Sequence, residues 1–348
     1  MPLATSFDLA EAEALIAMLA HLEGPTPPLA MPPLPAGWTL VFDSPVLGAF
    51  DNKWQLWRAA SDPPKFAVVI RGTVAKARSI LADLLSVMIR GSGSLAVDSL
   101  RFSYRFAADP QATVHLGFAL AALILLHDPR DGILPRLLDA CPAGSDLLIA
   151  GHSQGAAVAT LCRSYLEHAE IAGPRWRHRT YLVAQPKPGN DHYGYDFDRL
   201  TGQPPSAWRF TNTQDWVPQV PLSFELLGGL NEPNPLDRLT EPERALVHMV
   251  ESVVHSIHEH ASHAELERQK PQAARLAEIM RGQRLVPTTA AETALDLPIV
   301  WDFNFCGCGT AVVLDGTPGT NPTDPHDTFW QHHAAMYYDL IRKTYPPS

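Results

Sequence analysis

The feature that most constrains the fold is a short apolar run leading directly into a glycine-bounded serine. Leu147–Ala150 is a continuous apolar stretch of the length expected for a strand buried on both faces. It is followed by Gly151–Gly155, which reads Gly-His-Ser-Gln-Gly, and then by the helix-favouring segment Ala156–Ala159. Since glycine lets a strand and a helix approach without clashing Cβ atoms, the segment predicts a tight strand–turn–helix unit.

The same alternation of strands and helices recurs along most of the chain. The predicted strands are residues 38–42, 53–58, 66–70, 147–150, 179–184, 207–211 and 303–314. The predicted helices outside the segment 225–300 are residues 8–23, 114–127, 155–168 and 328–343. This rhythm predicts an α/β fold, with a mostly parallel central sheet flanked by helices.

Domain boundaries follow from the segments that depart from this rhythm. Residues 1–37 are predicted to form a helix, with Asp8 and Glu11 in a capping box at its start, and a proline-rich connector. Residues 38–348 are predicted to form a single domain. Residues 225–300 are predicted to be a helical insertion before the last strand, in which Pro271 ends one helix and a second one follows.

Composition excludes several classes of function. The formal net charge is −10 and no Lys/Arg cluster is present, so a nucleic-acid partner is not expected. No apolar run reaches the length of a membrane span, and the acidic start lacks the pattern of a signal peptide. Localisation therefore stays open between cytoplasmic and secreted by another route. The four cysteines are too few for a disulfide framework or a zinc site, and we expect buried thiols.

A serine hydroxyl is a weak nucleophile, so Ser153 requires a base and an orienting acid downstream. Asp215 follows a predicted strand in a proline-braced loop and is the candidate acid. His332 and His333 are the candidate bases near the end of the chain, and His326 is a weaker third. The resulting order Ser, Asp, His is that of the α/β-hydrolase fold.

Several motifs, taken in order, resemble those of the class 3 lipases, the fungal triacylglycerol-lipase type. The resemblance covers about residues 38–224 and 300–342. The motifs are Val69–Thr73, Val114–Phe118, Gly151–Gly155, Gln185–Asn190, Asp215–Pro218 and a terminal His-x4-Tyr.

This resemblance implies a catalytic triad of Ser153, Asp215 and a C-terminal histidine. The histidine–tyrosine spacing is met by His333 with Tyr338 or by His332 with Tyr337, and we favour His333, with His332 as the alternative base.

An oxyanion hole and a lid are also expected. The backbone N–H of Gln154, the residue after the nucleophile, is the first expected donor to the oxyanion. The resemblance implies Thr73 as the second donor, and it places a lid within residues 74–113. The apolar residues from Ile80 to Ile89 could contact a lipid interface there or could pack in the core.

The sequence therefore predicts a carboxylic ester hydrolase, a lipase acting on acylglycerol or small esters through an acyl-enzyme. Alternatives are a phospholipase A1 or an acyltransferase with the same triad and, more remotely, a non-catalytic lipase-like binding protein. No cofactor or metal is expected. Five histidines crowd one predicted helix, but their spacing lacks the His-Glu-x-x-His of metalloproteases, and a solvated face is expected. They are His248, His255, His258, His260 and His263.

Overall fold

The structure is a computed structural model of the 348-residue chain. It describes residues 7–47, 51–72, 87–97, 100–168, 175–223, 240–282, 295–296, 298–300 and 302–346.

A seven-stranded sheet forms the centre of the fold. In chain order, the strands of the protein are β1 (Trp38–Asp43), β2 (Lys53–Ala59), β3 (Lys65–Arg71), β4 (Met88–Arg90), β5 (Ser92–Val97), β6 (Leu100–Arg105), β7 (Thr113–His115), β8 (Asp146–His152), β9 (Arg177–Val183), β10 (Gly189–Asn190), β11 (Ala207–Asn212), β12 (Leu295–Asp296), β13 (Ile299–Val300), β14 (Phe305–Cys306) and β15 (Thr310–Leu314). The central sheet has the order β1-β2-β3-β8-β9-β11-β15. Its first three strands are antiparallel and the pairs from β3 to β15 are parallel, which confirms the predicted fold class.

Helices cover both faces of this sheet. The described helices are α1 (Leu9–Glu23), α2 (Leu116–His127), α3 (Ile133–Ala140), α4 (Gln154–His168), α5 (Asp191–Thr201), α6 (Glu241–Gly282) and α7 (Ala334–Thr344). Side chains alternate along the buried strands: Leu147 and Ile149 pack with α2 and α4, whereas Leu148 and Ala150 pack with α1 and α7. The continuous apolar run of β8 is thus explained by burial on both faces.

Helix α1 begins and ends as predicted, but one side chain differs. Asp8 caps it by accepting the N–H of Glu11 at 3.1 Å. The Glu11 carboxylate, however, does not complete a capping box; it is buried under the sheet and accepts from Arg179 and Tyr181, each at 2.8 Å. Hydrogen bonds to a charged group are worth more than a box at an exposed helix end, so Glu11 ties α1 to the sheet.

The predicted break at Pro271 is wrong, because α6 runs through this residue without interruption. Proline removes the hydrogen bond to the carbonyl four residues earlier, and here both Glu267 and Pro271 face solvent, where water can bind that carbonyl. Beyond the proline the helix buries Leu276 and Ala277 in the core. The inserted segment is not purely helical, since strands β12 and β13 close it.

Only part of the predicted lid can be compared with the structure. Residues 73–86, which include Ile80 and the residues up to Leu85, lie outside the described residues. Val87, Met88 and Ile89 are buried at the start of a second sheet, where β4 pairs with β7 and β13. These three side chains therefore belong to the core and not to a lipid-facing surface.

The last helix begins later than predicted, at Ala334. A 3-10 turn, Trp330–His332, precedes it. The Asp327 carboxylate accepts the N–H of Phe329 at 2.9 Å, so a side chain captures the backbone before the turn and delays the helix.

Two further properties of the described residues concern membrane spans and cysteines. No helix among these residues is both long enough and apolar enough to cross a bilayer. All four cysteines are free, and three of them are buried as expected: Cys141, Cys162 and Cys308.

Candidate active site

Ser153 lies on the turn that joins β8 to α4. Its backbone φ is 60°, in the left-handed region that residues other than glycine rarely adopt. The Ser153 N–H donates to the carbonyl of Val183 on β9 at 3.0 Å, and the Ser153 carbonyl accepts from Ala156 at 2.8 Å. Backbone hydrogen bonds thus hold the serine at the carboxyl edge of the sheet and at a helix N-terminus, where the helix dipole favours negative charge.

The strained turn depends on the glycines that flank it. A Cβ at Gly151 would lie 2.1 Å from the carbonyl oxygen of Gly155, and a Cβ at Gly155 would lie 2.3 Å from that of Ile70. Both obstructing atoms belong to the backbone and cannot rotate away. The predicted reason for the two glycines, close approach of strand and helix, is therefore confirmed.

Asp215 lies in the loop after β11 with its carboxylate fully buried. One oxygen, Oδ1, accepts the N–H of Val217 at 3.0 Å. The other, Oδ2, accepts from the hydroxyl of Tyr337 and from Nδ1 of His332, both at 2.8 Å. Because a carboxylate only accepts, the proton of a neutral His332 ring is on Nδ1 and its Nε2 is left to accept.

The structure places His332, and not the favoured His333, on Asp215. His332 has a buried Nε2 without a hydrogen-bond partner among the described residues. His333 turns to the opposite side, where Nδ1 lies 2.8 Å from Glu23 and Nε2 lies 3.2 Å from Asp327. With both ring nitrogens donating to carboxylates, His333 has none available to accept a proton, so the geometry contradicts the preference for it.

The terminal His-x4-Tyr spacing is met by the pair that contacts Asp215. His332 and Tyr337 both bind its Oδ2, and the Tyr337 oxygen also accepts the N–H of Asn212 at 3.1 Å. The tyrosine therefore links the acid to the end of β11. His326, the third candidate, is exposed in the loop before the turn.

His152, the residue before the nucleophile, contacts the candidate base directly. Its Nε2 lies 2.7 Å from the carbonyl oxygen of His332, and the two ring centroids are 4.7 Å apart. Since a carbonyl only accepts, Nε2 of His152 carries a proton. Burial lowers the pKa of His152 to about 4, so the ring is neutral at neutral pH and acts as a donor to the His332 backbone.

The backbone N–H of Gln154 lies next to the end of β3. Ile70 on β3 is opposite Gly151 on β8, which brings the chain after β3 beside the serine turn. A Cβ at Gly72 would lie 3.1 Å from the Gln154 nitrogen, a tight contact that shows how closely the chain after β3 approaches this N–H. Thr73, the other expected oxyanion donor, lies outside the described residues.

Three residues near the site had no assigned role in the sequence: Glu23, His152 and Tyr337. The histidine–tyrosine spacing was the signal for Tyr337, and the position of His152 inside the serine motif was a signal for that residue. Glu23 had no signal, because it lies in a helix more than 300 residues away. Among the described side chains, no group of His, Cys, Asp and Glu forms a metal site.

Comparison with models of known protein families gives a match to a lipase family. Residues 67–225 match a family model described as Lipase (class 3). No curated protein matches the chain significantly.

Solved structures of fungal lipases share part of the chain's length at low identity. Lipase II from Rhizopus niveus is 20% identical, with a TM-score of 0.46, over 63% of this chain and 77% of that one. The Rhizomucor miehei lipase propeptide complex is 20% identical, with a TM-score of 0.45, over 63% of this chain and 65% of that one. A mutant form of MDLA from Penicillium cyclopium is 21% identical, with a TM-score of 0.42, over 62% of this chain and 74% of that one.

Proposed function

Because the chain belongs to the class 3 lipase family, we propose that it hydrolyses carboxylic esters, acylglycerols in particular, through an acyl-enzyme on Ser153. The observation that most supports this proposal is the buried hydrogen bond from His332 to Asp215 next to the strained serine turn. A buried acid that fixes an imidazole, whose second nitrogen is kept as an acceptor, is what serine activation requires.

In the first half-reaction, Nε2 of His332 takes the proton of Ser153 while the serine oxygen bonds to the ester carbonyl carbon. Asp215 stabilises the imidazolium that forms and keeps its orientation. The tetrahedral intermediate then collapses as His332 returns the proton to the leaving alcohol, which departs and leaves the acyl group on Ser153.

In the second half-reaction, water takes the place of the alcohol. The water oxygen attacks the acyl carbonyl carbon while His332 accepts a proton from the water. Collapse releases the carboxylic acid, and the same proton returns to Ser153.

Negative charge on the carbonyl oxygen needs preorganised donors in both half-reactions. We assign this role to the backbone N–H of Gln154 and, from the family resemblance, to Thr73. The approach of Gly72 to the Gln154 nitrogen supports an oxyanion position between β3 and α4. Losing one such donor typically costs about 10²–10³ in kcat.

The test is hydrolysis by the purified full chain, with Ser153→Ala as the control. The substrates are p-nitrophenyl esters of increasing chain length, a triacylglycerol emulsion and phosphatidylcholine vesicles. We expect hydrolysis of acylglycerol and p-nitrophenyl esters, and a loss on the order of 10⁴-fold or more in Ser153→Ala.

A fluorophosphonate probe gives a second readout that needs no substrate choice. It should label the wild-type chain and not Ser153→Ala. Preferred cleavage of phosphatidylcholine would redirect the proposal to a phospholipase. A wild-type chain that neither hydrolyses esters nor reacts with the probe would be a binding protein, and the proposal would fall.

A further inference from the structure

Glu23, the last residue of α1, reaches the turn that carries the candidate base. Its Oε1 accepts Nδ1–H of His333 at 2.8 Å, and its Oε2 accepts the N–H of Ala334 at 2.8 Å. Ala334 is the first residue of α7, and this helix has no capping hydrogen bond from its own N-cap side chain. A carboxylate from the other end of the chain therefore takes the place of the missing cap.

The second carboxylate on His333 comes from the loop before the turn. Asp327 Oδ2 lies 3.2 Å from Nε2 of His333, and its Oδ1 accepts the N–H of Phe329. Both ring nitrogens of His333 thus face carboxylates, which favours the imidazolium form. Burial opposes this charge, but the hydrogen bonds and negative charges of Glu23 and Asp327 outweigh it and raise the pKa of His333.

The Glu23 carboxyl remains ionised under the same conditions. Burial alone would raise its pKa, but the surrounding imidazoles of His152 and His333 and the N–H of Ala334 hold the pKa at about 2. His152 is neutral at neutral pH, so the cation that faces Glu23 there is His333. The result is a partly buried carboxylate–imidazolium–carboxylate bridge beneath the turn.

This bridge completes a set of contacts that fix the backbone on both sides of His332. The His332 N–H donates to the carbonyl of Phe329 at 2.7 Å, and its carbonyl accepts from His152. The bridge binds the side chain of His333 and the N–H of Ala334, the two residues that follow His332. Since proton transfer requires the imidazole to be held within about 0.5 Å of its working position, the direction of Nε2 depends on this backbone.

If Glu23 only anchored α1, its role would be equivalent to that of a second carboxylate of this helix, the buried Glu11. Glu11 lies near the opposite end of the same helix and binds Arg179 and Tyr181 of β9, away from the turn. The two acids anchor one helix, but only Glu23 contacts residues adjacent to His332. The chain thus offers a matched pair of carboxylates that separates anchoring of the helix from positioning of the base.

We propose that Glu23 and His333 are positioning residues for His332, so that the N-terminal helix is part of the catalytic apparatus. This inference rests on the proposed ester hydrolase function. It assigns a catalytic consequence to α1, which lies outside the residues matched by the lipase family model.

The experiment compares Glu23→Gln, Glu23→Ala, His333→Gln and the double variant Glu23→Gln/His333→Gln with Glu11→Gln, each in the full chain. Hydrolysis of one p-nitrophenyl ester gives kcat and KM, fluorophosphonate labelling gives the reactivity of Ser153, and thermal unfolding gives Tm. Glu23→Gln keeps an acceptor for Ala334, so it remains informative if Glu23→Ala does not fold.

We expect both Glu23→Gln and His333→Gln to lower kcat and the labelling rate roughly 10- to 100-fold with little change in KM. The kcat of the double variant should be no lower than that of the less active single variant, because the two residues act as one unit. Glu11→Gln should lower Tm by at least as much and keep kcat within about twofold.

Two results would overturn the inference. One is a kcat within about twofold of wild type in both Glu23 variants, and the other is an equal loss of kcat in Glu11→Gln. Either result leaves the proposed function intact if Ser153-dependent hydrolysis persists. A wild-type chain without such hydrolysis or labelling removes both proposals together.

Discussion

The turn that holds His332 and the helix cap that holds His333 are adjacent in the chain but chemically opposite. Nδ1 of His332 is hydrogen-bonded to one carboxylate, that of Asp215, and its buried Nε2 has no partner among the described residues. The two ring nitrogens of His333 are each hydrogen-bonded to a carboxylate, Nδ1 to Glu23 and Nε2 to Asp327. One ring can accept a proton from a nucleophile, and the other is kept protonated. The comparison shows that the contacts around a histidine, and not its spacing in the sequence, determine whether a ring nitrogen is left to accept a proton.

The sharpest way to break this comparison is to replace each histidine by glutamine. His332→Gln should lower kcat on the order of 10⁴-fold or more, because it removes the proposed acceptor of the serine proton. His333→Gln should cost only the 10- to 100-fold expected for lost positioning. His326→Gln, in the exposed loop before the turn, is the control and should be unchanged. Equal losses in His332→Gln and His333→Gln, measured with one ester, would contradict the division of roles.

A smaller effect is expected from the tyrosine bound to the acid. Tyr337→Phe removes a donor to Asp215 and leaves the buried N–H of Asn212 without its acceptor. We expect about a tenfold lower kcat and a loss of roughly 1–3 kcal/mol in the free energy of unfolding.

The adjacent Tyr338→Phe serves as the matched control for Tyr337→Phe. Tyr338 belongs to the other histidine–tyrosine pair with the same spacing, and its ring stays against Arg342 when the hydroxyl is removed. If Tyr338→Phe reduced kcat as much as Tyr337→Phe, the tyrosine contact to Asp215 would not be the cause.

The smallest expected effect concerns stability and its dependence on pH. Because the pKa of His333 is raised in the folded protein, its contribution is complete below the unfolded value of about 6.5 and is lost as pH rises through the folded value. His333→Gln should therefore destabilise the protein by roughly 1–3 kcal/mol at pH 5.5 and by less at pH 9, as measured by urea unfolding. A difference between His333→Gln and wild type that grows toward pH 9 would refute the charged state of His333, and His326→Gln should show no such trend.

The inner strands β3 and β8 of the central sheet were predictable because they are short, continuous apolar runs that are buried on both faces of the sheet. The run before Ser153 and the glycines around it predicted β8, the turn and α4, and the structure confirms each of them. Local chemistry was sufficient at Gly151, where the obstructing carbonyl belongs to Gly155 four residues on, whereas the requirement at Gly155 comes from Ile70 on the neighbouring strand β3.

Predictions failed where solvent exposure, a side-chain hydrogen bond to the backbone or a distant residue overrode the preference expected from the residue type. Pro271 normally ends a helix, but its exposed position allows α6 to continue. The last helix begins at Ala334 because Asp327 captures the backbone of the preceding loop. No local pattern distinguishes His332 from His333, since the choice is made by Asp215 on one side and Glu23 on the other.

The contact between Glu23 and His333 joins residues 310 positions apart. A ring closed over so long a stretch has a large entropic cost, and it forms after the elements that pair locally. During synthesis, Glu23 at the end of α1 can contact His333 only after the segment before α7 has been made, so the proposed base His332 is positioned late. The proposed proton acceptor is therefore not organised until α7 has emerged, and on the proposed function the growing polypeptide would gain its activity in one late step.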